Sequence, residues 1–240
     1  MKKLKKIPII PQSFEDDLRM NHIRFITQTS FLQEVFTHAE KFRATRYDEL
    51  LKIILENTYA EFYEKYGPKT QKEFYNMELF YKPMLLKSFF LIAYSNFEVH
   101  LRQICERMEK KHLRRRQLKA HTRKLKKGRK RNKSFVEIYR DYLKKIHGLK
   151  MAQNNAEWKE LDKYRTIRNA LVHDNGLIDR RELRKVRTTL DHYKVGYNFD
   201  DLPIAIRDEN FLQNFITLAS KYTKAVIWEV APVPPLPGSV

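Results

Sequence analysis

The chain has 240 residues, 42% of them apolar, and carries 48 Lys and Arg against 29 Asp and Glu for a formal net charge of +19. That length holds one substantial core or two small domains at most, and the apolar share is normal for a chain that folds. No stretch approaches about 18 uninterrupted apolar residues, so no membrane span is expected. The basic start, Met1 to Pro8, lacks the apolar core and small-residue cleavage site of a signal peptide. The lone Cys105 has no partner for an internal disulfide, which fits a reducing cytoplasm. Six glycines against 13 Tyr and 15 Phe favour long helices over a many-stranded sheet.

Residues 1–12 read as a basic tail. Ser13 opens a helical run in which Phe14, Leu18, Ile23, Ile26, Phe31, Leu32, Val35 and Phe36 recur at three- and four-residue spacing. A second run over about 45–66 places Leu50, Leu51, Ile54, Leu55, Tyr59, Phe62 and Tyr66 on one face, and Gly67-Pro68 stops it. After Pro83, Leu85 to Met108 is the most apolar helix and the expected centre of the fold. Lys110 to Lys133 then holds 14 Lys and Arg and no acid. Its only large apolar residues are Leu113, Leu118 and Leu125, too few to pack a face, so it reads as a solvated helix or as disorder. Ser134 with Glu137 forms a capping box for a helix ending near Gly148, and Asn154 with Glu157 opens another that Gly176 stops. Short extended pieces are expected within 193–206. Asp208 caps a last helix through Phe211, Phe215, Leu218, Tyr222 and Ile227. The Pro-rich end, 231–240, is not expected to pack. The expected fold is an all-α bundle forming a single domain over 13–230.

The charge excess is local. Without residues 110–133 the balance is 34 basic to 29 acidic, or +5, which is ordinary. A polyanion is the natural partner, because cations that neutralise phosphates release condensed counterions. Contacts to RNA are expected from Arg114, Arg115, Arg116, Lys119, Arg123, Lys124, Lys126, Lys127, Arg129, Lys130 and Arg131. In a eukaryotic host the same clusters would alternatively read as a nuclear address. Three scattered leucines make no amphipathic face for a membrane surface. His100, His112, His121 and His147 lack metal-ligand spacing with Cys or acidic partners, so no metal site is expected.

The helix from Glu160 to Gly176 carries the chemistry. On a wheel of about 100° per residue, Leu161, Tyr164, Ile167, Ala170 and Leu171 form its apolar side. Asp162, Arg165, Arg168, Asn169 and His173 form a polar arc, with Arg168 and His173 at its edges, roughly 140° apart, and Val172 between them. An imidazole exchanges protons near neutral pH. A guanidinium clamps phosphate and offsets charge building in the transition state, and an amide orients either partner. RNA brings its own nucleophile, the 2′-hydroxyl, so no cofactor is required.

In order, Tyr164-Arg165-Thr166-Ile167-Arg168-Asn169-Ala170-Leu171-Val172-His173-Asp174-Asn175-Gly176 resembles the signature helix of the HEPN superfamily. The family motif is an Arg, usually followed by a polar residue, then His after four to six intervening residues; here Arg168, Asn169 and His173 fill it. Residues 90–104, with Glu98 embedded, are similar to the family's earlier core helix, and the resemblance spans about 80–230. It implies a HEPN-like helical bundle with extra N-terminal helices, dimerising through the motif helix to complete a composite, metal-independent endoribonuclease site that leaves a cyclic phosphate and a free 5′-hydroxyl. It also implies a toxin–antitoxin or anti-phage setting, and an antitoxin or other defence-system subunit as partner; transfer RNA, messenger RNA and invading transcripts all fit the basic arm as substrates. Arg168, Asn169 and His173 would be catalytic, with Glu98 and Arg165 supporting; on the residues alone, Glu98 reads more readily as a buried structural ion pair with Arg165. A subgroup controlled by modification carries Tyr two residues after the motif His, where this chain has Asn175. The non-enzymatic alternative is a HEPN-like scaffold that grips nucleic acid through 110–133.

Overall fold

The structure is a computed structural model that describes residues 13–56, 59–76, 81–111, 117–127, 134–150, 156–173, 176–178, 180–193 and 204–231. These residues form eight helices: α1 Phe14–Leu55, α2 Tyr59–Asn76, α3 Lys82–Lys111, α4 Gln117–Lys127, α5 Phe135–His147, α6 Ala156–His173, α7 Arg180–His192 and α8 Glu209–Val230. The all-α expectation holds among them. No helix among the described residues is long and apolar enough to cross a membrane.

Several helix ends follow from local chemistry. Ser13 Oγ accepts from the Asp16 backbone N–H at 3.1 Å, capping α1. Ser134 and Glu137 make the reciprocal capping box of α5, and Gly148, at φ 69°, ends that helix in the left-handed conformation a glycine adopts without a Cβ clash. Asp208 Oδ1 accepts from Asn210 N–H at 2.9 Å to open α8. Gly176, at φ 89°, donates its N–H to Ala170 O at 2.7 Å and closes the end of α6. The Asn154 cap and residues 1–12, 194–203 and 232–240 lie outside the described residues; Ala231, counted in the end not expected to pack, is buried and donates its N–H to Ile227 O at 2.8 Å. Residues 204–206 are non-helical, with Ile204 N–H donating to Gly176 O at 2.9 Å.

Two elements differ from expectation. The two N-terminal runs are not separated near residue 40: α1 is continuous for 42 residues. The intervening segment holds neither Gly nor Pro, and Glu40 and Arg43 pair across one turn at 2.6 Å. Gly67-Pro68 ends its helical run as expected: Gly67, at φ 66° and ψ −179°, is non-helical, and the residues after it within α2 form a second helical stretch. The sequence reading also assigned no helix to 180–192, where α7 stands.

By its internal contacts the chain divides into two compact units. The first comprises residues 1–25, 98–153 and 223–240. Leu101, Ile104, Cys105 and Met108 of α3 are buried in it with Val136, Ile138, Tyr142 and Leu143 of α5. His100 sits beside Asn21, His22 and the stacked ring of Phe25. Here α4 is anchored rather than merely solvated: Leu118 is buried, its N–H donates to Glu109 Oε1 at 2.8 Å, and the His121 ring meets Tyr142 edge-on at 5.8 Å. A histidine supplies the packing surface that a count of leucines misses. The second unit comprises residues 26–97 and 154–222. Its core is aromatic: Phe90, Tyr94 and Phe97 of α3, Tyr164 of α6, and Phe211 and Phe215 of α8 meet at ring distances of 4.9–6.2 Å. Such pairs add specific geometry to a large buried apolar area. This core fixes α6.

Candidate functional site

Trp158, Leu161, Tyr164, Ile167, Ala170 and Leu171 bury one side of α6, and burial on that side turns the polar arc of the helix outward. Arg168 and Asn169 are half-buried, while Val172 and His173 are exposed. Arg168 Nη1 donates to Asn169 Oδ1 at 3.3 Å and lies 3.5 Å from His173 Nε2. A guanidinium can only donate, so Nε2 is the acceptor and the ring proton sits on Nδ1. In this arrangement the Nε2 lone pair that a general base needs is engaged by Arg168, and it is free for a proton only when the guanidinium turns away.

The wheel places Arg168 and His173 at opposite edges of the arc, yet their side chains meet. Wheel angles describe where Cα–Cβ bonds start. A guanidinium on a flexible stem reaches back across the intervening arc, and the single helix thus assembles more of the site than its angular spacing suggests.

A residue that the motif does not include supports this arrangement. The guanidinium carbon of Arg168 lies 5.7 Å from the ring centroid of Tyr94 on α3, within range of a cation–π attraction. Tyr94 is itself buried and stacked on Phe215 at 5.6 Å. Its one sequence signal was an aromatic in register with Phe90 and Phe97, and that reads as core. It is core, but its face also carries the arginine.

The remaining expected residues are placed as follows. Arg165 Nε donates to Asp162 Oδ1 at 2.7 Å, so its guanidinium is engaged along its own helix. Glu98 falls in the first unit. Burial first, and then the charge of Glu98, push the Tyr139 hydroxyl up to about 12. Lys119, Arg123 and Lys124 are exposed on α4. Arg114, Arg115, Arg116, Arg129, Lys130 and Arg131 lie outside the described residues, as do the side chains of Lys126 and Lys127. Among the described residues no group of three or more His, Cys, Asp or Glu is placed to hold a metal ion.

Val172, next to His173 on α6, and Leu177, beyond the end of that helix, are exposed apolar side chains at 43% and 42%. No protein-family model matches the chain, and no curated protein or solved structure matches it either.

Proposed function

We propose that the protein is a metal-independent endoribonuclease of the HEPN type, acting on transfer or messenger RNA through Arg168, Asn169 and His173. The observation that carries this reading is one side chain's set of contacts. Arg168 is held by Asn169 at 3.3 Å, stacked on Tyr94 at 5.7 Å and set 3.5 Å from His173 Nε2. That is a phosphate clamp and a proton acceptor side by side.

His173 Nε2 takes the proton of a ribose 2′-hydroxyl as the 2′-oxygen attacks the adjacent phosphorus. The P–O5′ bond breaks, giving a 2′,3′-cyclic phosphate, and the departing 5′-oxygen takes up a proton to become a hydroxyl. Arg168 leaves the imidazole for the phosphate and stabilises the charge that builds on its non-bridging oxygens. One imidazole cannot give and take a proton in the same step. A second His173, from the other copy of a two-fold pair, supplies the acid. Exposed Val172 and Leu177 fit the contact such a pair needs, because an isologous interface brings the same patch together from both copies. The setting proposed with this activity is toxin–antitoxin or anti-phage defence.

Sequencing RNA ends from cells expressing the wild type and His173→Ala tests the reading. The wild type is expected to arrest growth and to leave 5′-hydroxyl ends, and the variant to do neither. Undiminished cleavage by the variant removes His173 from the chemistry.

A second reading is favoured by α4, whose anchored helix displays Lys119, Arg123 and Lys124. As a non-catalytic module gripping RNA through 110–133, the protein would bind in a salt-sensitive way that His173→Ala leaves intact.

A further inference from the structure

The part of α1 that belongs to the second unit carries apolar residues on two faces. One face packs against its own unit. Thr29, Phe36 and Leu50 are buried there, and Phe36 meets Phe89 of α3 edge-on at 5.5 Å. Glu40 reaches Lys82 of α3 at 3.6 Å, and Arg46 reaches Glu73 of α2 at 3.0 Å. The other face is a stripe of Phe31, Val35, His38 and Phe42, all exposed, with the two phenylalanines at 63% and 71%. Such rings add nothing to the core of their own unit, and covering them is favourable.

The stripe advances by four, three and four residues, the 3.5-residue spacing of a seam between two helices. It is also close to palindromic about a point between Phe36 and Thr37. An antiparallel second copy therefore sets Phe31 of each chain against Phe42 of the other, and Val35 against His38. Large rings close both ends of the seam and smaller groups fill its middle.

Charge selects the same register. Glu34 and Lys41 flank the stripe on the side away from the core, and both are exposed. Neither has a charged partner among the described residues. No fixed opposite charge stands three or four residues from either one along α1. In the antiparallel register each Glu34 lies within about two residues of the other copy's Lys41 along the axis, roughly 3 Å of rise. Two symmetric ion pairs follow. A parallel pairing would instead bring Lys41 beside the other copy's Arg46.

A free helix with so short a seam would be marginal in water. α1 is already folded by its buried face, so pairing has only side chains to order. We propose that α1 binds α1 of a second copy of this chain, antiparallel, through Phe31, Val35, His38 and Phe42, with Glu34 and Lys41 pairing across the edge. The contact uses no residue of the ribonuclease reading and stands or falls without it.

The test is sedimentation velocity of the full chain over a series of protein concentrations. The wild type is expected to self-associate. Phe31→Asp/Phe42→Asp should dissociate it at concentrations where the wild type pairs, with the melting temperature of the monomer unchanged. Glu34→Lys alone and Lys41→Glu alone each set like charges across both edges, and each should weaken self-association about fivefold. An equimolar mixture of these two single variants should regain the wild-type affinity, because every edge of a mixed pair then joins opposite charges. A wild type that stays monomeric overturns the proposal, whether the stripe is then covered by another protein or by another segment of the same chain. Self-association that persists in Phe31→Asp/Phe42→Asp places the contact elsewhere, on α6 for instance, and overturns it too. A mixture no tighter than its separate components overturns the antiparallel register, even if the aspartate variant fails to fold.

Discussion

His100 and His173 carry the same side chain in opposite surroundings. His100, on α3 in the first unit, is 2% exposed. Asn21 Nδ2 donates to its Nδ1 at 3.0 Å, so the ring proton sits on Nε2 and faces His22 Nδ1 at 3.4 Å, while Phe25 stacks on the ring at 4.6 Å. Burial, then His22 and Arg107, push its pKa down to about 3. His173 ends α6 in the second unit, exposed, with a guanidinium at its Nε2. A buried neutral histidine with both nitrogens engaged holds a fold together. An open one beside an arginine has a free edge for chemistry. Exchanging the two roles experimentally is the way to break this contrast.

The largest effect is expected at His173. His173→Ala should lower kcat for RNA cleavage by about 10²–10⁴, with thermal unfolding unchanged because the side chain is exposed. Measured on the same preparations, His100→Ala should do the reverse. It leaves Asn21 without its partner, opens a cavity beside Phe25 and costs about 3 kcal/mol in chemical denaturation. Activity per folded molecule should stay at the wild-type level. A loss of activity at full folding in His100→Ala would erase the distinction between the two sites.

Acid sharpens the same contrast. The unfolded chain takes a proton on His100 below about pH 6.5, whereas the folded chain resists until about pH 3. The unfolded state binds more protons across that window, so stability is complete above pH 6.5 and falls as pH drops through it, by up to about 1.4 kcal/mol per pH unit. His22, also lowered by burial and by Lys224, adds in the same direction. Arg107, held by Asp17 at 2.7 Å, keeps a fixed positive charge near the pair. Denaturant midpoints at pH 5 and pH 7 should differ clearly in the wild type and much less in His100→Gln. An equal pH response in the two proteins would assign the acid sensitivity to other groups.

What the sequence revealed and what it hid divide along physical lines. Helices with apolar periodicity and side-chain caps were legible, because Ser13, Ser134 with Glu137, Gly148 and Asp208 act within a few residues of themselves. α7 was not. Its buried residues are few, Val186 and Leu190 with Thr189, and its charge pairs at three- and four-residue spacing are the signal that could have found it. The motif residues were legible as a set, but their convergence was not, because a wheel records where side chains begin and not how far they reach. Tyr94 was hidden for a different reason. A residue that serves a core with one part of its ring and an arginine with another leaves only the core's periodicity in the sequence.

Tyr94 gives the smallest expected effect and the finest test of the site. In Tyr94→Phe the ring remains beneath Arg168, so cleavage should stay within about twofold of wild type, since most of the cation–π attraction belongs to the ring face. In Tyr94→Leu the aromatic face is lost, and about 0.5–1 kcal/mol of hold on the guanidinium goes with it. That corresponds to a two- to fivefold fall in kcat/KM at roughly 1.4 kcal/mol per factor of ten. Leucine also loosens the contact with Phe215, so the comparison must be made well below both melting temperatures and normalised to folded protein. Adding Arg168→Gln to each background then isolates the contact, because glutamine carries no charge for the ring to attract. If the ring acts through the guanidinium, the difference between Phe and Leu at position 94 should vanish once glutamine replaces arginine. A difference that persists would mean that Tyr94 supports α6 as a whole and not the arginine it touches.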